Sequence, residues 1–252
     1  MSGPTRRRVS ERRGFWYGTA ILLLRRPLHA AARVEYRGGE HLPATGGVVI
    51  AANHISQVDP LYVALFTYEH GRLARFLAKD SLFSVPALGP ILTSMRHIPV
   101  YRGSAESGRA VEAAVRAARA GQCVVVYPEA TITRDPDGWP MAGKTGAARI
   151  ALTAGVPLIP LAQWGAQDVW SPYSRLPHLG RRHVVRLEAG PPVDLSGLGG
   201  QPLSAAHLRA ATDRLMDRIT TMVGDLRGQT APPTRYDPRT HRPAEAAGEE
   251  TR

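Results

Sequence analysis

A turn between a buried strand and a helix constrains the fold of this chain more than any other feature. Residues 47–52 read Gly-Val-Val-Ile-Ala-Ala, an apolar run that predicts a buried strand. A second apolar segment begins at Leu61 and predicts a helix. Asp59 and Pro60 are favourable first residues for it, because Asp accepts bonds from free amides and Pro has no amide to leave unpaired. His54 therefore lies at the end of a strand, with the Asp59 carboxylate across a tight turn from it.

The alternation of strands and helices continues along the chain. Further strands are predicted near residues 74–79, 97–100, 122–127, 157–163 and 183–189. Helices are predicted near residues 60–69, 86–95, 105–120, 143–154 and 203–224. This order is typical of an α/β protein, in which a mixed sheet is flanked by helices and the active loops follow the strand ends. At 252 residues the chain is long enough for a single domain of this kind.

The His-x4-Asp pattern formed by His54 and Asp59 has two interpretations. In one, Asp59 fixes the tautomer of the His54 ring and stabilises the imidazolium that forms when His54 accepts a proton. In the other, Asp59 only caps the helix and His54 is an incidental loop residue. The pattern is short, so by itself it does not decide between the two.

Four segments, in order, resemble the sequence motifs of the glycerolipid acyltransferase family, whose best-known members acylate lysophosphatidate. The strand followed by His54 and Asp59 resembles the first motif, and residues 96–102, Arg-His-Ile-Pro-Val-Tyr-Arg, resemble the second. Residues 127–131, Tyr-Pro-Glu-Ala-Thr, resemble the third, usually Phe-Pro-Glu-Gly-Thr-Arg, and residues 156–160 resemble the fourth. Four motifs in order are far more specific than one, and the resemblance covers residues 33–190.

The resemblance implies an enzyme that moves a fatty acyl group from an acyl thioester to the free hydroxyl of lysophosphatidate, giving phosphatidate. His54 would be the general base and Asp59 its orienting carboxylate. No Gly-x-Ser-x-Gly sequence occurs and Cys123 begins an apolar run, so direct attack by the hydroxyl is expected rather than an acyl-enzyme. Amides at the start of the helix at Pro60 would meet the oxyanion. The thioester, acyl-coenzyme A or acyl carrier protein, arrives as an activated co-substrate, so no cofactor or metal is expected.

The substrate-binding residues follow from the same resemblance. Arg102 takes the position of the second-motif arginine, whose guanidinium suits contact with the phosphate of a lysophospholipid. Glu129 and Thr131 lie in the third motif, near the acceptor. Lys79 and Lys144 are the only lysines in the chain and both lie in motif-bearing segments, where a compact ammonium could be required.

The third motif departs from the family pattern at two positions. Ala130 replaces the usual glycine, and its Cβ leads us to expect a negative φ at that residue. Ile132 stands where an arginine is usual and so removes one phosphate contact, which Arg134 or Lys144 could replace. Alternatively, the acceptor is a lipid other than lysophosphatidate. A further alternative is a non-catalytic protein that binds lipid or nucleic acid through a basic arm. The pairing of His54 with Asp59 argues against it, because a protein that only binds has no need of a paired base.

Charge and composition restrict the kinds of binding partner that are expected for this chain. The formal net charge is +11 and the sequence pI about 10.6, values that on their face suggest nucleic acid or an anionic membrane. Arginines number 30 against two lysines in an Ala- and Gly-rich chain, a bias that indicates a GC-rich genome more than polyanion binding. No nucleic-acid partner is therefore expected. One cysteine excludes an intrachain disulfide, and His178 and His183 lack metal-ligand spacing.

The N-terminal segment predicts contact with a membrane surface. Residues 1–26 contain seven arginines against one acid, and residues 15–24 are the most apolar run of the chain. That run is too short to cross a bilayer, which needs about 20 helical residues. It predicts an interfacial helix that lays Trp16 and Tyr17 into the headgroups of the cytoplasmic face of the cell membrane, as a peripheral or monotopic protein. A signal peptide and an ordinary helix packed on the domain are the alternatives.

The chain is accordingly divided into residues 1–32, a basic arm and membrane-interface helix, and residues 33–228, the acyltransferase domain. Residues 229–252 are rich in Pro, Arg and Glu and predict a disordered tail. Residues 138–145 match the Walker A pattern, but turn residues precede them where a phosphate-binding loop needs a strand, so no NTPase is expected. The sequence does not predict the oligomeric state.

Overall fold

The computed structural model of the chain describes residues 14–101, 106–178, 182–200 and 202–238, together with Arg7, Val9, Glu11 and Thr240. The helices in this part of the chain are α1 (Phe15–Ala31), α2 (Asp59–Glu69), α3 (Leu88–Ser94), α4 (Glu106–Arg119), α5 (Gly146–Ala154), α6 (Ala166–Val169) and α7 (Ala205–Arg227). The strands are β1 (Ala32–Arg37), β2 (Val48–Ala52), β3 (Ala74–Lys79), β4 (Ile98–Val100), β5 (Cys123–Val126), β6 (Leu158–Trp164) and β7 (His183–Ala189).

The seven strands form one sheet in the order β1-β7-β6-β2-β5-β3-β4. Strands β6 and β7 are antiparallel, and the other neighbouring pairs are parallel. The predicted mixed α/β sheet flanked by helices is therefore confirmed. The six strands and five helices predicted after residue 46 agree with the observed ones to within three residues at each end, whereas the helix predicted from the apolar run 15–24 continues to Ala31. The short helix α6 and the edge strand β1, in which charged and apolar residues alternate, were not predicted.

Helices cover both faces of the sheet, because successive strand residues point to opposite sides. On one face, Ile50 of β2 and Val125 of β5 pack in a core with Tyr62 and Phe66 of α2. On the other face, alternate residues of the same strands pack against α4, α5 and α7. Each face thus has its own apolar core, and the central strands are buried on both sides.

The sheet places its central strand ends at one edge. Strand β2 lies between β5 and β6, with Ile50 paired to both Val125 and Ile159. The connections from β2 and from β5 leave toward opposite sides of the sheet, and the crevice at such a switch point is where open α/β sheets bind ligands. His54 follows β2 and Glu129 follows β5, so both lie at this crevice.

Helix α1 both packs on the domain and presents apolar side chains to solvent. Tyr17 is buried, contrary to the interfacial position expected for it, and its hydroxyl accepts the amide N–H of Ala74 at 3.0 Å. Trp16, Leu22 and Leu23 are exposed. Within the described residues, every helix is too short or too polar to span a bilayer. Most of the predicted basic arm and residues 241–252 of the predicted tail lie outside the described residues.

Candidate active site

The side chains of His54 and Asp59 meet across the turn after β2. Nδ1 of His54 lies 2.8 Å from Oδ2 of Asp59, and the His54 side chain is 17% exposed whereas that of Asp59 is fully buried. An ionised carboxylate only accepts hydrogen bonds, so in the neutral ring this contact selects the tautomer with the proton on Nδ1 and leaves Nε2 as the acceptor. The predicted pair is therefore brought together in the geometry of an oriented base.

The turn itself supports the charge on Asp59. The same oxygen, Oδ2, also accepts the amide N–H groups of Ile55 at 2.6 Å and Ser56 at 2.8 Å. Complete burial raises the pKa of Asp59, while the bonds from His54 and from these amides oppose the rise. These three donors fix the carboxylate in position. Asp59 can therefore orient the ring without moving.

Two buried amide side chains lock the end of β2 to the end of β6. Asn53 Nδ2 donates to the carbonyl of Gln163 at 3.0 Å, and Asn53 Oδ1 accepts the Gln163 amide N–H at 2.8 Å. Gln163 Nε2 in turn donates to the Asn53 carbonyl at 2.7 Å. The residue before His54 is thus held by three hydrogen bonds. This lock was not predictable from the sequence, because an Asn and a Gln 110 positions apart give no local signal.

An aromatic ring supports the imidazole from one side. The ring of Tyr127, the first residue of the third motif, stacks on that of His54 with centroids 4.2 Å apart and planes inclined by 22°. Phe76 of β3 lies beyond Tyr127, with centroids 6.3 Å apart. The stack restricts the ring of His54 to the plane in which Nδ1 meets Asp59.

Glu129 is buried and bonds to the backbone on both sides of the site. Its Oε1 accepts the amide N–H of His54 at 2.9 Å, and its Oε2 accepts that of Met141 at 2.9 Å. Burial raises the pKa of Glu129 to about 8, and the two amide bonds oppose the rise. The carboxylate therefore clamps the His54 backbone to the loop at residues 139–143. The contact with the acceptor expected for Glu129 stays a prediction.

The conformation of Ala130 contradicts the sequence-based expectation. Its φ is +60°, in the left-handed region, whereas a negative φ was expected. Its amide N–H donates to the carbonyl of Tyr127 at 3.0 Å, so the third motif makes a tight turn here. The usual glycine of the motif adopts this conformation without strain, and alanine does so at a cost of about 1 kcal/mol.

A cleft of about 2040 Å³ opens over His54. The predicted site residues that line it are His54, Lys79, Glu129, Thr131, Arg134 and Lys144. Arg102, the predicted phosphate ligand of the second motif, lies outside the described residues. The apolar part of the lining comes from α1 and from the segment around α3, with Ile21, Leu24, Leu88, Ile91, Leu92 and Met95.

The basic side chains at the third motif are exposed to the cleft. Ile132 also lines the cleft, in the place of the arginine usual in the family. The side chains of Arg134 and Lys144 are exposed, and the amide of Lys144 donates to the carbonyl of Pro128 at 2.9 Å. Helix α5 begins at Gly146, so Lys144 lies just before its amino end rather than in its first turn.

Three further features singled out in the sequence are the expected oxyanion amides, the Walker A match and Cys123. The oxyanion expectation fails for the first amides of α2, because Leu61 and Tyr62 both donate to the carbonyl of Val58. The Walker A match has no strand before it, since β5 ends at Val126. Cys123 is buried and its pKa is raised to about 12 by burial, so its thiol is unsuited to act as a nucleophile. Among the described residues, no group of three or more His, Cys, Asp or Glu is placed to hold a metal.

The chain is similar in sequence to known acyltransferases. The acyltransferase family model matches residues 33–164. A 1-acyl-sn-glycerol-3-phosphate acyltransferase of Borreliella burgdorferi is 31% identical over 140 residues, which is 55% of this chain and 54% of that protein. A protein of the same name from Bacillus subtilis is 28% identical over 201 residues, 77% of this chain and 92% of that protein.

A solved structure shares the fold. The 1-acyl-sn-glycerophosphate acyltransferase PlsC of Thermotoga maritima superposes with a TM-score of 0.62 at 22% identity, over 86% of this chain and 81% of that one. At this level of identity the likeness concerns the fold alone. The family model, which spans all four motifs and most of the sheet, shows that this chain belongs to the acyltransferase family.

Proposed function

We propose that the protein transfers a fatty acyl group from an acyl thioester to the free hydroxyl of a 1-acylglycerol-3-phosphate, with His54 as the general base. One observation carries the proposal: the ring of His54 lines the cleft while its Nδ1 is bonded to the buried Asp59 at 2.8 Å. The activity named for the Borreliella and Bacillus relatives supports the same class of acceptor.

In the proposed mechanism, the acceptor hydroxyl gives its proton to Nε2 of His54 as its oxygen attacks the thioester carbonyl. Asp59 holds the ring and stabilises the imidazolium. The intermediate then collapses, the carbon–sulfur bond breaks, and the leaving thiolate takes the proton back from His54. Proton transfer of this kind contributes about 10²- to 10⁴-fold to the rate. The buried Cys123 supports direct transfer, without an acyl-enzyme.

The two parts of the cleft suit the two parts of the substrates. The exposed cations Arg134 and Lys144 support binding of the acceptor phosphate, with Arg102 the expected third. The apolar part beside α1 and α3 suits the fatty acyl chain. The donor is acyl-coenzyme A or acyl carrier protein, and since its thioester is already activated, the proposal needs no resident cofactor.

We further propose that the protein works at the surface of a membrane, on its cytoplasmic face. Leu22 and Leu23 of α1 are 73% and 65% exposed, and Ile21 and Leu24 of the same helix line the cleft. A helix with bare leucines next to the apolar mouth of the cleft suits a lipid substrate that is drawn from the bilayer.

The experiment is thiol release from a long-chain acyl-coenzyme A by the purified protein in mixed micelles, with and without lysophosphatidate. We expect acceptor-dependent release that is lost in His54→Ala. Asp59→Asn should lower kcat about 10²- to 10⁴-fold, because the ring loses the carboxylate that selects its tautomer. His178→Ala, which changes an exposed histidine outside the cleft, is the matched control and should keep wild-type kcat.

The possible outcomes distinguish the acyl-transfer reaction itself from the identity of the acceptor lipid. Release that ignores lysophosphatidate but needs His54 would keep the chemistry and indicate another lipid acceptor, as Ile132 suggests. Release that persists in His54→Ala would refute the assigned base. No release with either coenzyme A or carrier-protein donors would refute the proposed activity and favour a lipid-binding protein.

A further inference from the structure

The first ten residues of the predicted tail lie against the domain. Gly228 ends α7 in the left-handed conformation, with φ of +66°, and the amide of Gln229 donates back to the carbonyl of Gly224 at 3.0 Å. This is the glycine-capped reversal that commonly ends helices. A Cβ at Gly224 would lie only 2.7 Å from the Gln229 carbonyl oxygen, so the helix has a glycine where the returning chain crosses it.

A pair of carboxylates anchors this segment to α7. The guanidinium of Arg235 lies 3.4 Å from Asp213 and also pairs with Asp217, one helical turn further along. Arg235 is 20% exposed, whereas its two partners are mostly exposed. Ala231 packs on the core between the sheet and α7. We call residues 229–238 the strap.

The strap is joined to the catalytic turn by three hydrogen bonds in series. The carbonyl of Tyr236 accepts the amide N–H of Ala142 at 2.9 Å. The adjacent residue, Met141, donates its amide N–H to Oε2 of Glu129, whose Oε1 accepts the amide N–H of His54, both at 2.9 Å. The strap therefore fixes the loop at residues 141–142. That loop bonds to Glu129, and Glu129 bonds to the backbone of His54.

The other end of the same loop is held separately. The guanidinium of Arg227 lies between the rings of Trp139 and Trp164, at 3.9 Å and 4.2 Å from their centroids, and donates to the carbonyl of Asp137 at 3.0 Å. Release of the strap should therefore loosen residues 141–143 while residues 137–139 stay in place. Asp237 and Pro238 also line the cleft, so the strap forms part of its wall.

We propose that the strap positions the catalytic base, acting through Ala142, Met141 and Glu129, with Arg235 as its anchoring residue. This inference rests on the proposed acyl transfer and extends it to a segment whose composition predicts disorder. Because the strap acts on His54 through this series of hydrogen bonds, its role is in positioning. A shift of about 1 Å in a catalytic group can cost about 10²-fold in rate, so a loosened loop should affect kcat.

The test uses charge exchange in the full-length chain. Arg235→Glu, which repels Asp213 and Asp217, should lower kcat about 10- to 100-fold and leave KM for the thioester within about twofold. The double variant Asp213→Arg with Asp217→Arg should behave alike, and the triple variant should recover most of the activity, since the pairing is restored with reversed sign. Arg218→Glu, an exposed change of equal charge on the same helix, is the control and should keep wild-type kcat.

Amide hydrogen exchange gives a readout that does not depend on the substrate. In Arg235→Glu, the amides of Met141 and Ala142 should exchange faster, while those of β2 and β5 keep their protection. Unchanged exchange of the Met141 and Ala142 amides would overturn the proposal. Equal loss of protection in β2 and β5 would also overturn it, because the strap would then stabilise the whole domain and not this loop in particular. Failure of the triple variant to recover activity would also count against it. If the wild-type protein transfers no acyl group, the proposed function fails, and exchange alone still decides whether the strap holds the loop.

Discussion

At the scale of single residues, the state of Glu129 depends on two opposing effects. Its carboxylate is 5% exposed and accepts bonds from two backbone amides, which favour the charged form. Burial disfavours that form more strongly, so the pKa rises from 4.5 to about 8. Between pH 4.5 and about 8, Glu129 therefore holds a proton in the folded protein that it has already lost in the unfolded chain. The contribution of Glu129 to stability is therefore complete below its unfolded pKa and is lost as the pH rises toward 8.

We therefore expect the wild-type protein to lose stability relative to Glu129→Gln as the pH rises from 5 to 8, because glutamine does not titrate. The relative change should be on the order of 2 to 4 kcal/mol, from the size of the pKa shift. Urea unfolding of both proteins at pH 5, 6.5 and 8 measures it. Parallel stability curves for the two proteins would mean that Glu129 is not proton-linked to folding.

Sequence reasoning found the chemical pair of the site but not its supports. His54 and Asp59 are close in the chain and carry a recognisable pattern, so their meeting was predictable. The amide partners of Glu129 and the bonds between Asn53 and Gln163 join distant segments through backbone groups, which carry no residue signature. The left-handed Ala130 was mispredicted because its conformation is imposed by the turn and not by its own preference.

At the scale of elements, α1 combines packing on the domain with the proposed membrane contact, and a deletion would affect both. Its buried Tyr17 bonds to Ala74 at the start of β3, so removal of the helix would damage the domain as well as any membrane contact. Leu22 and Leu23 are exposed, so they bear only on the proposed membrane contact.

We expect the double variant Leu22→Glu with Leu23→Glu to lose recovery with anionic vesicles in a sedimentation assay. Its activity in detergent micelles should stay within about twofold of wild type, since neither side chain packs on the domain. Leu176→Glu is the matched control, because Leu176 is as exposed as Leu22, at 73%, and lies on a loop after β6. Equal vesicle recovery by the double variant and the control would refute the interfacial role.

A helix or strand could be predicted when its own residues form a clear local pattern. Buried parallel strands are continuous apolar runs, and β2, β5 and β6 were predicted almost to the residue. Strand β1 was missed because it is an edge strand whose outer side chains are charged and paired, as in Arg186 with Glu35. The composition of the strap predicts disorder because it has few apolar residues, whereas its attachments to the domain are made by Arg235 and backbone groups.

At the scale of the whole molecule, one buried arginine joins the segments that carry the site. The side chain of Arg72 is fully buried and donates to the carbonyls of Pro43 at 2.8 Å, Gly46 at 2.7 Å and Gly121 at 2.9 Å. Its Nε donates to Glu11 at 3.2 Å. Gly46 and Gly121 precede β2 and β5, the two strands whose far ends carry His54 and Glu129. Arg72 thus fixes the relative position of these strands from the edge opposite the site.

Replacement of Arg72 by methionine should therefore destabilise the whole domain. It removes the Arg72 donor from three backbone carbonyls and from Glu11, and removal of one partner from a buried charged network costs about 3 to 5 kcal/mol. Urea unfolding should show that loss with an unchanged slope, while Arg33→Met, which removes a mostly exposed guanidinium on β1, should cost less than about 1 kcal/mol. A loss below about 1 kcal/mol in Arg72→Met would mean that water replaces the guanidinium. The two strands would then be held in register by the sheet alone.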